Sequence, residues 1–599
     1  MASTFSSRSA EVRCTMPCND ASKRSLTQWL SADLTISLSS PFTIPVCITD
    51  HTHQSLESRR VHGRYILGRH WAGAIRNTSI CDHVHASADP SSVPFSLDNS
   101  YRLYISLEWI RVVTTSVPGL HKAAIDTTFA TCQSIAEAIS PSSEVYYPGS
   151  SHYENDISHW VSAISENATC SVEPGTARDA GTILRLLGKS RAPFAVKGGG
   201  HSPNPGFSAT KGVHVSMTRF STIAYDNASQ TVELGAGLTW DRVYEHLEPF
   251  GVNVVGGRVA GVGVAGFLLG GGLSYKSNQY GLAIDTVQAF ELVLPNGTVT
   301  SVTAEDHDLW FGLRGGFNNF GIVTKFTMKA FPQTDIWGGY LVVPPSGMDA
   351  ALDAVEKWNA NASDPKAAIN SAFIYNQGEV FLYQLLFYDA PDASNWSFRC
   401  LHINSEGQQF GENAVLYLFA EYPGYLSIPR ESTVRIRTLT WCSMEAFANF
   451  ADLSGLFHAA SVKRFTKRSL ETIAAETKFW GDVLTPHSAT TLFNVAETFL
   501  PDMFSHGTPS AYPPSRAYTL CPVNLYVAWT DARADSLMHD ALAVSAARMT
   551  ELGEPLYTNY ALGDVPVEAL YGENVGELKR IKRWYDPEDV MGLAGGYKL

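Results

Sequence analysis

The stretch 196-VKGGGHSPNPGFSATKG-212 limits what this chain can be more than any other part of it. Three glycines run directly into His201, and the chain breaks again at Pro203, Pro205 and Gly206. Gly198, Gly199 and Gly200 carry no side chain and tolerate positive φ. Such a run lets backbone approach a ligand closely, and its N–H groups can form an anion-binding nest. His201 then projects a nucleophilic or ligating ring from the loop. A surface turn with a stray histidine would use the same four residues, so the reading needs a second observation.

That observation is a second glycine cluster, 256-GGRVAGVGVAGFLLGGGLSYKSNQYG-281. Within it GVGVAG, Gly261 to Gly266, matches the dinucleotide fingerprint GxGxxG literally, and Asp285 follows about 20 residues on. A nicotinamide-type fold would need a full crossover helix after the last glycine, with the pyrophosphate at its N-terminus. Gly270, Gly271 and Gly272 interrupt any such helix almost at once. The two clusters are better read together, as two stretches of bare backbone along one extended, phosphate-bearing cofactor held across a sheet interface.

KGGGH, the run GGRVAGVGVAGFLLGGGLSYKSNQYGLAIDTV, LRGGFNNFGIVTKF, and the terminal YTNYAL and YDPEDVMGLAGG occur in that order. Together they resemble the berberine-bridge-enzyme-like FAD-linked oxidases, of the p-cresol-methylhydroxylase-type (PCMH-type) FAD fold and the vanillyl alcohol oxidase superfamily. The likeness spans residues 130 to 599 and is strongest to fungal members of secondary-metabolite pathways. It implies FAD as cofactor, joined covalently to His201, whose imidazole is a competent nucleophile toward the flavin 8-methyl carbon. Lys197 or nearby backbone helps to hold the ring. Gly198, Gly199, Gly200 and Ser202, with Gly257, Arg258, Val259, Gly261, Val262 and Gly263, pass the pyrophosphate, and Gly266 closes that cluster. Ile322 and Val323 lie near the adenosine or the ring system, and Asn559 belongs to a segment returning to the isoalloxazine. Some relatives carry a second flavin link through a cysteine where this chain has Val259. A single covalent link, through His201, is therefore expected. The resemblance also implies a disulfide between Cys132 and Cys170; two buried thiols are the alternative.

A flavin accepts a hydride from an activated carbon, and the protein must orient that carbon and take up a proton. The resemblance puts the base on the sheet of a second domain, facing the flavin. Tyr512 in SAYPPSR, Tyr526 in VNLYVAW and Tyr557 in YTNY are the candidates, although an aromatic residue in a strand also serves packing. In the related berberine bridge enzyme a glutamate acts as base, and no acidic residue stands beside PPSR in this sequence. Asp285 reads as structural or flavin-supporting.

The 599 residues, 45% hydrophobic, can bury more than one core. The expected fold class is α+β: a PCMH-type FAD-binding domain over 126–335, and a substrate domain over 336–555 with an antiparallel sheet backed by helices. A C-terminal segment, 556–599, returns to the first domain. Residues 1–125 are poorly patterned and read as an extension. With 396-WSFRCLHINSEGQQFGENAVLY-417, they have no recognised family counterpart, as gene-prediction errors or retained introns would leave them. A net charge of −14, with no basic stripe, gives no nucleic-acid footprint. No apolar run reaches the ~18–20 residues of a membrane span. Cys81, His83 and His85, with His51 and His53, match no zinc spacing, so no metal is expected. Six sequons, at Asn77, Asn167, Asn227, Asn296, Asn361 and Asn395, with the cysteine pair, suggest a secreted glycoprotein, yet MASTFSSRSAEVRCTMPCND has no apolar core of a signal peptide. The expected activity is oxidation of a small natural product by a monomer, with oxygen as acceptor. A carbohydrate oxidase of the same fold and an inactive flavin-binding protein are the alternatives.

Overall fold

In the computed structural model the described residues are 118–391, 435–437, 453–551 and 553–599, with three short strands before them. The chain divides into two compact units, Met1–Ala124 and Ile125–Leu599. In the first, where sequence patterning predicts only an extension, Cys47–Asp50, Tyr101–Ser106 and Ser92–Leu97 form a small antiparallel sheet in that order. The segment 396–417 lies outside the described residues.

Among the described residues the second unit carries a two-stranded ladder, Val252–Asn253 with Phe331–Pro332, two smaller sheets and one large one. A four-stranded sheet runs in the order Glu144–Tyr146, Cys170–Glu173, Val213–Ser216, Phe194–Lys197. Its first pair is antiparallel and the others parallel. The GVHVSM segment reads as an alternating strand in sequence, yet Val213–Ser216 is buried at every position. It sits between two parallel neighbours with both faces covered, which removes the alternation. The helix Ala177–Ser190 packs its apolar side inward through Ile183, Leu184 and Leu187. It starts at Thr176, whose hydroxyl accepts from the Asp179 N–H at 3.1 Å, as an N-cap should. A disulfide joins Cys132 to Cys170.

The second small sheet is antiparallel, in the order Val299–Val302, Val287–Val293, Ile322–Lys329, Thr231–Gly235, Ile223–Asp226. Its first two strands are the hairpin expected on Pro-Asn-Gly, with Gly297 at φ +81° in the turn.

The large sheet has seven antiparallel strands: Arg435–Arg437, Ile336–Val343, Glu379–Tyr388, Ala367–Asn376, Ala489–Thr498, Cys521–Trp529 and Ser454–Val462, in that order. SAFIYNQGEVFLYQLLFY, one segment by composition, folds back on itself at Gln377 and Gly378, both at positive φ. The helices Met348–Asn361, Lys467–Leu484 and Asp535–Met549 back the sheet, with Trp358, Leu470 and Met538 in the core. The α+β class and PCMH-type architecture expected from the sequence are what the chain adopts. The C-terminal stretch crosses back: Ala594 bridges Phe194, and Thr558 donates to the Gly270 carbonyl at 2.7 Å.

Candidate active site

Phe194–Lys197 delivers the chain into Gly198 at the end of a buried strand. There the two glycine clusters touch. A Cβ built on Gly199 would lie 2.6 Å from both the N and the Cα of Gly263, and 3.1 Å from the Gly261 carbonyl oxygen. Side chains at these positions would force the two backbones apart. The helix following Gly263 is only Val264–Leu269, six residues. That is too short for the crossover helix of a nicotinamide fold. Asn559 anchors it, donating to the Phe267 carbonyl at 3.1 Å.

His201 lies flat against Trp160, with ring centroids 4.3 Å apart and planes 11° off parallel; Phe457 of the large sheet continues the stack. Trp160 is set by its own backbone, which donates to the Gly200 carbonyl at 3.1 Å. The His201 Nε2 is buried and has no hydrogen-bond partner in the protein. Burial lowers the imidazole to about 4, so at neutral pH the ring is uncharged and a nitrogen lone pair is available. Lys197 is engaged elsewhere: its ammonium donates to the Asp156 and Asn155 carbonyls, at 2.6 and 3.2 Å, where the helix Ser151–Ile157 ends. Burial brings it down to about 8.

The inner face of the large sheet opposes this loop. Register places Asn370 beside Glu497, and Phe493 beside both Ile374 and Tyr526. Arg258 reaches across from the second glycine cluster. Its Nη2 donates to Glu497 Oε2 and to the Tyr560 hydroxyl, both at 2.8 Å, and Tyr560 donates to Glu497 Oε1 at 2.8 Å. Asn370, with its carbonyl turned toward Arg258, accepts from Nη1 at 3.0 Å. Glu497 is fully buried, while Arg258 and Tyr560 are only partly so. Burial alone would lower the Arg258 guanidinium, but the Glu497 charge, together with Tyr560, Tyr275 and the hydrogen bond to Glu497, outweighs it and holds it up. Burial, and then the same carboxylate, push the Tyr560 phenol well up, so it stays protonated.

The three tyrosines singled out by sequence occupy different surroundings. Tyr526 is in the aromatic group with Phe457, Phe493 and Trp160. The Tyr557 hydroxyl accepts from the Leu273 N–H and from Asn559 Nδ2, at 3.0 and 2.9 Å, and burial pushes it up to about 12. Tyr512 packs against backbone at Gly315 and Gly271. Burial raises its phenol well above the ordinary range. Ile322 and Val323 are buried in their strand, paired with Val293 and Leu292. Val259 is partly exposed beside Arg258. An acidic residue does stand beside PPSR in space: Asp285 takes both Arg516 and Arg314. Trp160, Glu497 and the action of Tyr560 are absent from the sequence reading. A lone glutamate in the apolar strand ATTLFNVAET was the available signal, since such a carboxylate must be paired when buried.

Family models for an FAD binding domain and for berberine and berberine-like proteins match residues 168–303 and 556–594. The FAD-dependent monooxygenase drtC of Aspergillus calidoustus is 30% identical over 498 residues, 78% of this chain and 90% of that protein. The chain belongs to the berberine-bridge-enzyme-like FAD-linked oxidoreductases. The FAD-dependent monooxygenase tpcD of Cochliobolus heterostrophus is 29% identical over 529 residues, covering 82% of this chain and 99% of its own length. Among solved structures, berberine bridge enzyme from Eschscholzia californica superposes with TM-score 0.63 at 16% identity, covering 77% of this chain and 97% of its own. A berberine-bridge-enzyme-like protein of Physcomitrella patens gives 0.60 at 19%, with the same coverage. These likenesses confirm the fold. The oxidoreductase binds FAD, and its residues fit that group: two backbones bared by glycine meet at one loop, beside a buried imidazole nitrogen with no protein partner. Among the described residues no helix is long and apolar enough to cross a membrane, and no cluster of metal-ligating side chains occurs.

Proposed function

We propose that this oxidoreductase carries FAD on a single covalent link to His201 and oxidises a small natural product in a secondary-metabolite pathway, as a monomer, with molecular oxygen as acceptor. The observation that carries the reading is the uncharged His201 ring whose buried Nε2 has no partner in the protein, next to the contact between Gly199 and Gly263. Trp160 fixes the plane of that ring by stacking. Val259, without a thiol, leaves no second attachment point at its place in the loop.

FAD, when bound, supplies an acceptor for a hydride. Gly198, Gly199, Gly200 and Ser202 hold the first stretch of the cofactor, and Gly257 to Gly263 with Gly266 the second. Lys197 acts on the loop from below by fixing the end of Ser151–Ile157. Ile322, Val323 and Asn559 support the cofactor through the strand and the short helix they stabilise. Of the three tyrosines, Tyr526 has the surroundings of a substrate-facing residue. Tyr557 and Tyr512 have those of residues that position the glycine turns, since both are buried against backbone. Asn167, Asn227, Asn296 and Asn361 are all exposed, which supports glycosylation in a secretory compartment.

Acid precipitation tests the reading. Yellow colour should stay in the pellet of the native protein and leave it in His201→Ala. Colour that is released from the native protein would remove the covalent link.

A further inference from the structure

Trp240 opens the helix Trp240–Leu247 and is fully buried. Its indole spans the start of the second glycine cluster. A Cβ on Gly256 would fall 2.4 Å from Trp240 Cε3, and one on Gly257 2.5 Å from Cδ1. Both positions are bare because an indole takes the space a side chain would need. The ring is also held from other sides. The Trp240 backbone N–H donates to the Val262 carbonyl at 3.1 Å, and Phe267 meets the ring edge to face at 5.3 Å. The preceding residue, Thr239, bridges Gly263, so the indole stands close to the contact between Gly263 and Gly199.

The polar atom of this ring is out of keeping with its packing. Trp240 Nε1 is buried and has no hydrogen-bond partner among the described residues. An indole nitrogen can only donate, and a buried one usually finds an acceptor. The Gly257 carbonyl already takes the Tyr244 hydroxyl at 2.7 Å. A buried donor left without an acceptor costs stability, and a phenylalanine would pack against the same glycines without that cost. The N–H therefore serves an acceptor that the chain does not itself supply.

We infer that Trp240 is a cofactor-binding residue whose indole N–H donates to an oxygen of the FAD diphosphate. This rests on the flavin reading above, although not on the covalent link. The cations beside the glycines are turned away from the loops: Lys197 to the Asn155 and Asp156 carbonyls, Arg258 to Glu497 and Tyr560. A diphosphate passing between Gly199 and Gly263 is thus held by neutral donors, which are the bared backbone N–H groups and the indole. Such donors are fixed before the ligand arrives, so little side-chain ordering is lost on binding. Gly256 and Gly257 act through the indole, by giving it room at the edge of the site.

The test deletes the N–H and keeps the ring. Full-length protein carries either Trp240→Phe or benzothienylalanine in place of Trp240, which puts sulfur where the N–H was. In FAD-loaded protein, phosphorus NMR should show one of the two diphosphate resonances shifted from its native position by both replacements. In the His201→Ala background, where FAD is exchangeable, its dissociation constant should rise about ten- to hundredfold, the span of one hydrogen bond to a charged acceptor. The flavin-free form of the same protein should melt within about 1 °C of its Trp240 parent when benzothienylalanine is present. Equal destabilisation of flavin-free and flavin-loaded protein would mark a purely structural role and overturn the inference. So would unmoved phosphorus resonances, or an FAD affinity within twofold of the parent. Should Trp240→Phe fail to fold, the benzothienylalanine protein decides alone. FAD that stays acid-stable in His201→Ala would sink the covalent link instead, and the phosphorus resonances would then decide the role of Trp240.

Discussion

Asp285 is the residue whose loss should be felt most widely. Its carboxylate is buried and takes three charged contacts: Arg314 Nη2 at 2.7 Å, and both terminal nitrogens of Arg516 at 2.7 and 3.0 Å. It also accepts from the Leu282 N–H at 3.0 Å, which closes the turn after Gly281. The Arg314 guanidinium is itself buried and, through Nη1, holds Thr508 and Pro509. Asp285→Ala would leave two guanidiniums facing each other with no counter-charge. Breaking a buried pair in this way costs about 3–5 kcal/mol. The unit Ile125–Leu599 has about 475 residues, and unfolding entropy near 2.1 cal/mol/K per residue gives about 1 kcal/mol per degree for it. Thermal unfolding of flavin-loaded protein should therefore fall by about 3–5 °C, with Asp285→Asn in between. Scanning fluorimetry of tryptophan and flavin emission reads both. A melting point for Asp285→Ala within 1 °C of native would refute the reasoning, because the two arginines would then not depend on that carboxylate.

Other perturbations have equally definite outcomes. Gly263→Ala puts a methyl into the Gly199 backbone, so flavin content at purification should drop severalfold, read from the absorbance ratio of flavin to protein; full occupancy would show that the two loops are free to separate. Cys132→Ser opens a 38-residue separation, for which loop-closure entropy gives about 4 kcal/mol, seen as a melting point about 4 °C lower; an unchanged value would contradict it. His214 and His458 are lowered by burial to about 3 and about 4, so both are neutral in the folded protein. Their unfolded forms take up protons below about 6.5, which makes stability fall as pH drops from there toward 4, by up to about 3 kcal/mol per pH unit for the two together. Melting points measured at pH 7, 6 and 5 should decline in that order, and a flat series would count against their burial as neutral rings.

Much of the cofactor half was legible because its constraints are local. KGGGH and GVGVAG are written in backbone freedom, and their meeting at Gly199 and Gly263 follows once both must lie along one ligand. The helix caps, the Pro-Asn-Gly hairpin and the cysteine pair are likewise short-range or motif-borne signals. The half built on the large sheet was not legible in the same way. Arg258 is 239 positions from Glu497 and 302 from Tyr560, which are themselves 63 apart, and only the register of Ala489–Thr498 against Ala367–Asn376 turns Glu497 inward. A one-residue slip would have sent it to the helix-covered face. Asp285 and Arg516 are 231 residues apart in sequence, which is why PPSR looked uncharged by its neighbours. Trp160 carries no motif at all; its role is defined by a ring stacking on His201.

The central claim is the bond between flavin and His201. Trypsin should release it on the peptide Gly198–Lys211, GGGHSPNPGFSATK, cut after Lys197 and Lys211. Mass spectrometry of that digest should find this peptide heavier by one FAD less two hydrogens, with fragment ions placing the addition on His201 and no cysteine peptide carrying flavin. The unmodified peptide alone, from protein that is yellow and folded, would contradict the account.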